Sequence, residues 1–552
     1  MLRRDFLVYS TLAGAINAFG GKSAWARQAV KSILDYGAQP DGRTMNTSAI
    51  QRAIDEAFKG GGGVVHVPAG TFLTGRLDLK SNVALYLDAG STLLGSMSLS
   101  DYQGADGNSE PDQRHLIYAS DAEGVSLSGP GRIDGQGASF WEPSGRPPLP
   151  PDQAWTDVAS HALKPKSSGR PSPMILFANC RRVKVDGVRL ENSPGWTLHM
   201  LECDDVEITS IAIKNPVYGP NTDGIDVTGC QNVTISGCTV ETGDDAICLK
   251  SERHSGKDPR LVRNVTVTNC TLTTCCNGFK LGTSSEGGFE NIVFTDSTVT
   301  NQPAPLGQRV ISGVALEVID GGWIDGVHVS GIRMQRARTP LFIRLGNRKR
   351  VHNYSQHGLR NVTIENVHAS ETVLASSITG IPGDYVDSVT LSNLHFENVL
   401  SSRPEWVGTS VAEKESAYPE ARMYGMLPAS GLYVRHARNL RLDRIEFVAA
   451  AGEARPALIF DDVDRVQVGN LISTAVRGTM PMVSLVNARN VSIVDSAAPA
   501  GIDTFVSVSG GNSAGIVLAG DDLRGARHAF QAGGEVAPQA VTIEGNAPPR
   551  TD

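Results

Sequence analysis

The densest set of chemically capable residues lies in two short segments, Asn221-Thr222-Asp223-Gly224-Ile225-Asp226 and Gly243-Asp244-Asp245-Ala246-Ile247-Cys248-Leu249-Lys250-Ser251. Asp223 and Asp245 are 22 residues apart. If that spacing is one turn of a repeating structure, their backbones lie about 4.8 Å apart, the distance between neighbouring strands. Ionised carboxylates stacked so closely repel one another, so packing alone gives no reason to place them there. Glycosidic cleavage does need such a group: one protonated acid gives its proton to the departing oxygen, and one or two carboxylates deprotonate a water on the opposite face. Crowding raises the pKa of at least one member and keeps a proton available near neutral pH. Taken singly, Asp-Gly and Gly-Asp-Asp are ordinary turn sequences; both together, one repeat apart, point to a site.

The elements that must hold these groups are visible as an internal repeat. A turn residue followed by short alternating apolar residues recurs thirteen times, among them Asn82-Val-Ala-Leu, Arg182-Val-Lys-Val, Asp205-Val-Glu-Ile, Asn232-Val-Thr-Ile, Asn264-Val-Thr-Val, Asn361-Val-Thr-Ile and Asn490-Val-Ser-Ile, and the starts of the full set are mostly 23 to 35 residues apart. Strands this short, with no helical segments between them, cannot form βαβ units. The pattern predicts an all-β parallel β-helix in which inward Val, Ile and Leu stack from coil to coil. Asn at the turn suits a left-handed backbone and side-chain amide ladders. A solenoid exposes its ends, and Thr47 to Phe58, with apolar Ile50, Ile54 and Phe58, Asn46 or Thr47 as N-cap and glycines at 60 to 63, predicts a capping helix at the N-terminal end. Two long loops, near 130–180 and 395–432, carry Trp141, Trp155, Trp406, Tyr418 and Tyr424. They serve a binding surface or wrap the solenoid.

The 552 residues carry 50 Lys and Arg against 58 Asp and Glu, a net charge of −8. Residues 1–26, with Arg3-Arg4-Asp5-Phe6-Leu7, an apolar stretch and Ala24-Trp25-Ala26, read as a twin-arginine export signal, leaving 27–552 as one catalytic β-helix domain in the periplasm or outside the cell. An ordinary secretory leader would lead to the same compartments. Without the leader the charge is −10, which excludes a nucleic-acid partner by overall electrostatics. No later run is long enough to span a bilayer, and a capped solenoid is expected to be a monomer. All eight cysteines fall between Cys180 and Cys276. Spacings of 23 (Cys180 to Cys203) and 22 (Cys248 to Cys270) match the repeat, so most are expected to be stacked apolar groups, with Cys275 and Cys276 the favoured place for bridges. No C-x-x-C or H-E-x-x-H occurs, so no zinc site is expected, and nothing calls for an organic cofactor.

On these residues the chain resembles the polygalacturonase family of pectin-degrading enzymes, glycoside hydrolase family 28. The resemblance runs from Ser32-Ile-Leu-Asp-Tyr-Gly-Ala-Gln-Pro-Asp-Gly through most of the repeats and is most specific at Asn-Thr-Asp-Gly, 221–224, and Gly-Asp-Asp, 243–245. It implies a right-handed parallel β-helix, hydrolysis with inversion, Asp244 as general acid, Asp223 and Asp245 holding and activating water, and Asn221, Lys250 and Ser251 lining the cleft. Two family elements are altered. Gly-His-Gly corresponds to Cys276-Asn277-Gly278, followed by Phe279-Lys280, and the Arg-Ile-Lys that grips a galacturonate carboxylate corresponds to Ala315-Leu316-Glu317. Asn277, Lys280 and Glu317 are therefore expected at the cleft. There Glu317 would repel a uronate and accept hydrogen bonds from sugar hydroxyls. This favours a divergent, rhamnogalacturonase-like member acting on plant cell-wall pectic polysaccharide.

Between Gly331 and Arg350 lie seven basic residues and no acid, a patch able to bind uronate carboxylates. Arg344 is the first choice for substrate contact, the alternative being outward arginines paired with neighbouring acids. His199, in Trp196-Thr-Leu-His, is the histidine expected nearest the cleft, as catalytic support or as a satisfied core residue. Two other functions suit the same fold. One is a polysaccharide lyase with calcium caged by Asp223, Asp226, Asp244 and Asp245; the other is a non-catalytic carbohydrate-binding or adhesion β-helix.

Overall fold

Position two of the repeat builds the core. In a computed structural model describing residues 30–103, 114–147, 162–254, 257–302, 304, 308–350, 356–474 and 478–550, Val183, Val206, Val233, Val265, Ile292, Val327, Val362, Val389, Leu440, Val466, Val491 and Ile516 pair in one parallel column. Each is buried, and burying such a side chain contributes about 1.5–3 kcal/mol. Among the described residues 39 strands join in one sheet wound on itself. Successive coils pair strand on strand, with three short strands per coil in the middle of the chain and longer strands that run through two faces farther on, which gives the predicted parallel β-helix.

The turn residue ahead of this column is left-handed on coil after coil, from Asn82 (φ 59°) through Asn232 (57°) and Asn264 (57°) to Asn490 (53°). Amides link these turns. Asn232 donates to Asp205 at 3.0 Å, Asn264 to Asn232 at 3.0 Å, and Asn291 to Asn264 at 2.8 Å. The N-terminal helix spans Thr47–Lys59 and buries Ile50 and Ile54, whereas Phe58 faces solvent. Asn46 occupies the N-cap position but uses its side chain on Gln39 and Thr44.

All eight cysteines are unbridged, which corrects the expectation of a disulfide at Cys275 or Cys276. Cys180, Cys203 and Cys230 stack, each backbone N–H donating to the next sulfur. Cys248, however, pairs in register with Lys280 rather than stacking on Cys270.

The site face carries strands Ile175–Ala178, Leu198–Leu201, Ile225–Thr228, Ile247–Ser251, Asn277–Ser285, Val310–Val318 and Ala337–Leu345, paired in that order. Both long loops border it. In the first, Trp141–Pro143 pairs antiparallel with Leu163–Pro165, and buried Trp141 donates to Pro194 O at 2.8 Å. In the second, Trp406 is buried and Tyr424 donates to Thr379 at 3.2 Å, while Tyr418 is 59% exposed. Residues 1–26, read above as an export signal, and Trp155 lie outside the described residues. Among the described residues no helix is long and apolar enough to cross a membrane.

Candidate active site

Asp223 and Asp245 each sit two residues ahead of a strand on the site face. Ile225 pairs with Ile247, and Gly224 N donates to Asp245 O at 2.9 Å, so the two aspartates share a position on successive coils. Asn277 takes that position on the next coil. Two glycines permit the close approach. A Cβ on Gly224 would lie 2.4 Å from Ala246 O, and one on Gly243 would lie 2.5 Å from Gly219 O. Between them Thr222 Oγ1 donates to Gly219 O at 3.0 Å and accepts from Gly243 N at 3.1 Å, fixing the turn.

The three aspartates line one cavity of about 560 Å³, with Asn221, Lys250, Asn277 and Lys280 around them. A second basin of about 380 Å³, along Arg146 and Lys164, shares Asn221 and Asp244 with the first. Asp244 thus stands at the divide, where a glycosidic oxygen would have a sugar on either side.

The carboxylates differ in their surroundings. Asp245 is buried, and accepts from Asn277 Nδ2 at 2.7 Å and from Lys280 Nζ at 3.1 Å. Burial pushes its pKa up, but Lys280 and Lys250, with the hydrogen bond from Asn277, outweigh that and bring it to about 2. Asp244 is partly exposed and accepts from Asn221 at 3.4 Å; burial and then the charge of Asp245 raise its pKa. Asp223 rises well above the carboxylate range through burial and the charges of Asp244 and Asp226, and its Oδ1 is buried without a hydrogen-bond partner. Behind it Asp226 is fully buried and pairs with Lys250 at 2.5 Å; burial raises it to about 6 despite that lysine. Lys250 in turn lies 4.5 Å over the Trp196 ring. The cluster therefore holds Asp245 ionised and pushes the pKa values of its neighbours upward, a separation of the kind that acid–base cleavage uses.

Of the residues expected here, Asn221, Lys250, Asn277 and Lys280 line the cavity. Four others do not. Ser251 is buried and donates to Arg260 O at 2.8 Å. His199 is buried 2.9 Å from Thr228 Oγ1, and burial followed by Lys250 lowers it to about 3, so it is a neutral core histidine. Glu317 is buried behind Thr283, which donates to it at 3.3 Å; burial raises it to about 8 even with Lys280 4.0 Å away, so it presents no charge to repel a uronate. Arg344 is corrected most sharply. It is buried and donates to the carbonyls of Gly380, Glu413 and Lys414 at 2.9 to 3.1 Å, tying the second long loop to the coil instead of meeting substrate.

Sequence reasoning did not single out Arg170, which donates to Asn221 Oδ1 at 3.2 Å and to two carbonyls and so orients that amide. Nor did it choose Arg348 and Arg350 within the basic run, or Glu420 and Arg422 on the loop, all of which line the cavity. Only the path of the loops brings these residues to the coil. The four-aspartate calcium cage is not assembled, because Asp226 and Asp245 are each occupied by a lysine. Asp244, Asp245 and Cys276 do bring three donor atoms within 4.8 Å of one another.

Comparisons with known proteins place the chain among similar sequences and folds. The "Probable polygalacturonase" of Vitis vinifera is 27% identical over 409 residues, 69% of this chain and 77% of that protein. The "Endo-polygalacturonase" of Pectobacterium carotovorum subsp. carotovorum is 28% identical over 307 residues, 54% of this chain and 71% of the relative. The crystal structure of a hyperthermoactive exopolygalacturonase from Thermotoga maritima superposes with a TM-score of 0.53 at 25% identity, covering 67% of this chain and 87% of its own. The family model described as Glycosyl hydrolases family 28 matches residues 62–399, and on that match, with the coiled sheet and its aspartate cluster, the chain belongs to glycosyl hydrolase family 28.

Proposed function

We propose that this hydrolase cleaves galacturonosyl linkages of a pectic polysaccharide, in rhamnogalacturonan or modified oligogalacturonides in preference to plain polygalacturonate. Asp244 is the general acid, and Asp223 with Asp245 holds and activates the water. The observation that carries the reading is the convergence of the three aspartates on one cavity, with Asp245 held ionised by Lys280 and the Asp244 carboxyl pushed upward by burial and the charge of Asp245. The pectic substrate is supported by the polygalacturonase relatives. The departure from plain polygalacturonate is supported by Asn277 and Ala315-Leu316-Glu317 standing where the family resemblance expects His and Arg-Ile-Lys.

Inversion is the stereochemistry proposed with it. Asp244 and Asp245 approach within 4.8 Å, closer than the roughly 6.5–9.5 Å of most inverting pairs, so the attacking water belongs beside Asp223 and Asp245 rather than between Asp244 and Asp245. Residues 1–26, read as an export signal, would deliver the hydrolase to the polymer. Reducing-end release from rhamnogalacturonan, modified oligogalacturonides and polygalacturonate, with the anomer of the first product followed by NMR, tests all three parts. Polygalacturonate as the better substrate by a large factor overturns the specificity, a retained anomer overturns inversion, and unsaturated ultraviolet-absorbing products overturn hydrolysis.

A further inference from the structure

The cations on the cavity wall are not equivalent. Lys250 is matched by Asp226, Lys280 by Asp245, and Arg422 by Glu420. Among the described residues Arg348 and Arg350 share one carboxylate partner. Asp320 is fully buried and accepts from Arg348 Nε and Nη2, both at 2.8 Å, and from Ser285 N at 3.2 Å; Arg350 Nε reaches the same carboxylate at 3.3 Å. Two guanidinium groups against one carboxylate leave a positive charge in excess where both arginines line the cavity. Arg348 is held rigidly, whereas the Arg350 side chain is half exposed. The exposed Tyr418 ring, 6.0 Å from the Arg348 guanidinium, lines the same end. An aromatic face beside a fixed cation suits the apolar face of a sugar ring that carries an acid, because a guanidinium meets a carboxylate through paired N–H bonds.

We propose that Arg350, backed by Arg348 and oriented by Asp320, binds the carboxylate of a uronate seated against Tyr418, supplying in this chain the clamp that Ala315-Leu316-Glu317 does not. Asp320 is a positioning residue, because it acts only through the arginines. The inference rests on the pectic reading above and names the acidic sugar that the cavity selects.

The test separates binding from turnover. Digalacturonate and its methyl ester are titrated by calorimetry into the full chain carrying Asp244→Asn, with and without Arg350→Ala, Arg350→Lys or Asp320→Asn. The clamp requires Arg350→Ala to weaken digalacturonate at least tenfold more than the methyl ester. Arg350→Lys should fall between, and Asp320→Asn should shift in the same direction with its fold intact by circular dichroism. Equal weakening of acid and ester, or unchanged affinity for the acid in Arg350→Ala, overturns the clamp. Selective loss of acid binding in a chain whose parent releases no reducing ends upholds the clamp and overturns the hydrolase reading instead.

Discussion

Lys280 Nζ lies 3.1 Å from Asp245 and 4.0 Å from Glu317, one ammonium between two buried carboxyl groups that belong to different coils. It belongs with Asp245. Burial raises both groups, but that aspartate falls to about 2, whereas Glu317 rises to about 8, because Lys280 is nearer to Asp245 and Lys250 acts on it too, with the hydrogen bond from Asn277 added.

Replacing Lys280 by Met removes the cation that keeps Asp245 ionised. The acid limb of the kcat/KM profile should move up by about 1 to 3 pH units, since Asp245 then protonates at a higher pH. An unmoved acid limb would show that Asp245 is not the group that must be ionised.

Asp244→Asn removes the acid and keeps its shape. Turnover should fall about 10²- to 10⁴-fold, with a melting temperature equal to or above that of the parent because repulsion with Asp245 is relieved. A variant that retains activity removes Asp244 from the acid role.

The Glu317 carboxyl titrates at about 8 when folded, against an ordinary 4.5. Between those values the folded chain holds a proton that the unfolded chain has released, so this group makes stability fall as pH rises through the window. Glu317→Gln should flatten the decline in melting temperature between pH 5 and 8. A slope identical to the parent's would refute this origin.

Arg344→Ala leaves three carbonyls without this donor, two of them on the second long loop, a loss of about 1–3 kcal/mol. Residues 411–424 should become more sensitive to limited proteolysis as the melting temperature drops. Weakened substrate binding with stability and proteolysis unchanged would restore Arg344 to a direct role.

With no disulfide among Cys180 to Cys276, eight thiols should react in denaturant without reductant, and reductant should leave the melting temperature unaltered. Fewer than eight would reveal a bridge.

The coils and the aspartate cluster are legible in the sequence because both are periodic. Asn232-Val-Thr-Ile and its counterparts repeat the same requirement, a left-handed corner followed by an inward branched side chain, and the Asp223 to Asp245 spacing equals one such coil. The side chains on loops are not periodic. Arg344 and Arg350 stand six residues apart in one basic run. Yet one is sealed beneath loop carbonyls and the other faces the cavity, because the chain leaves the strand after Leu345. Glu317 misled for a related reason. Its position on the site face was readable, but the cover supplied by Thr283 was not.

The anchoring of the second long loop has a consequence for how the molecule wears from its ends. Arg435 and His436, on strand Leu432–Val448, bond to Glu413 and Val411, so the loop that borders the cavity is moored to a coil downstream of it. Arg455 holds the same loop through Leu427 O, and Asp461 and Asp462 on strand Leu458–Ser473 bond to Arg435 and His436. It is therefore the rungs beyond Ser473 that can be lost with the loop still moored, since each rung leans chiefly on its neighbours. Once unwinding reaches the mooring, Tyr418, Glu420 and Arg422 lose their tether, and the tail of the spiral proves to be the latch of its middle.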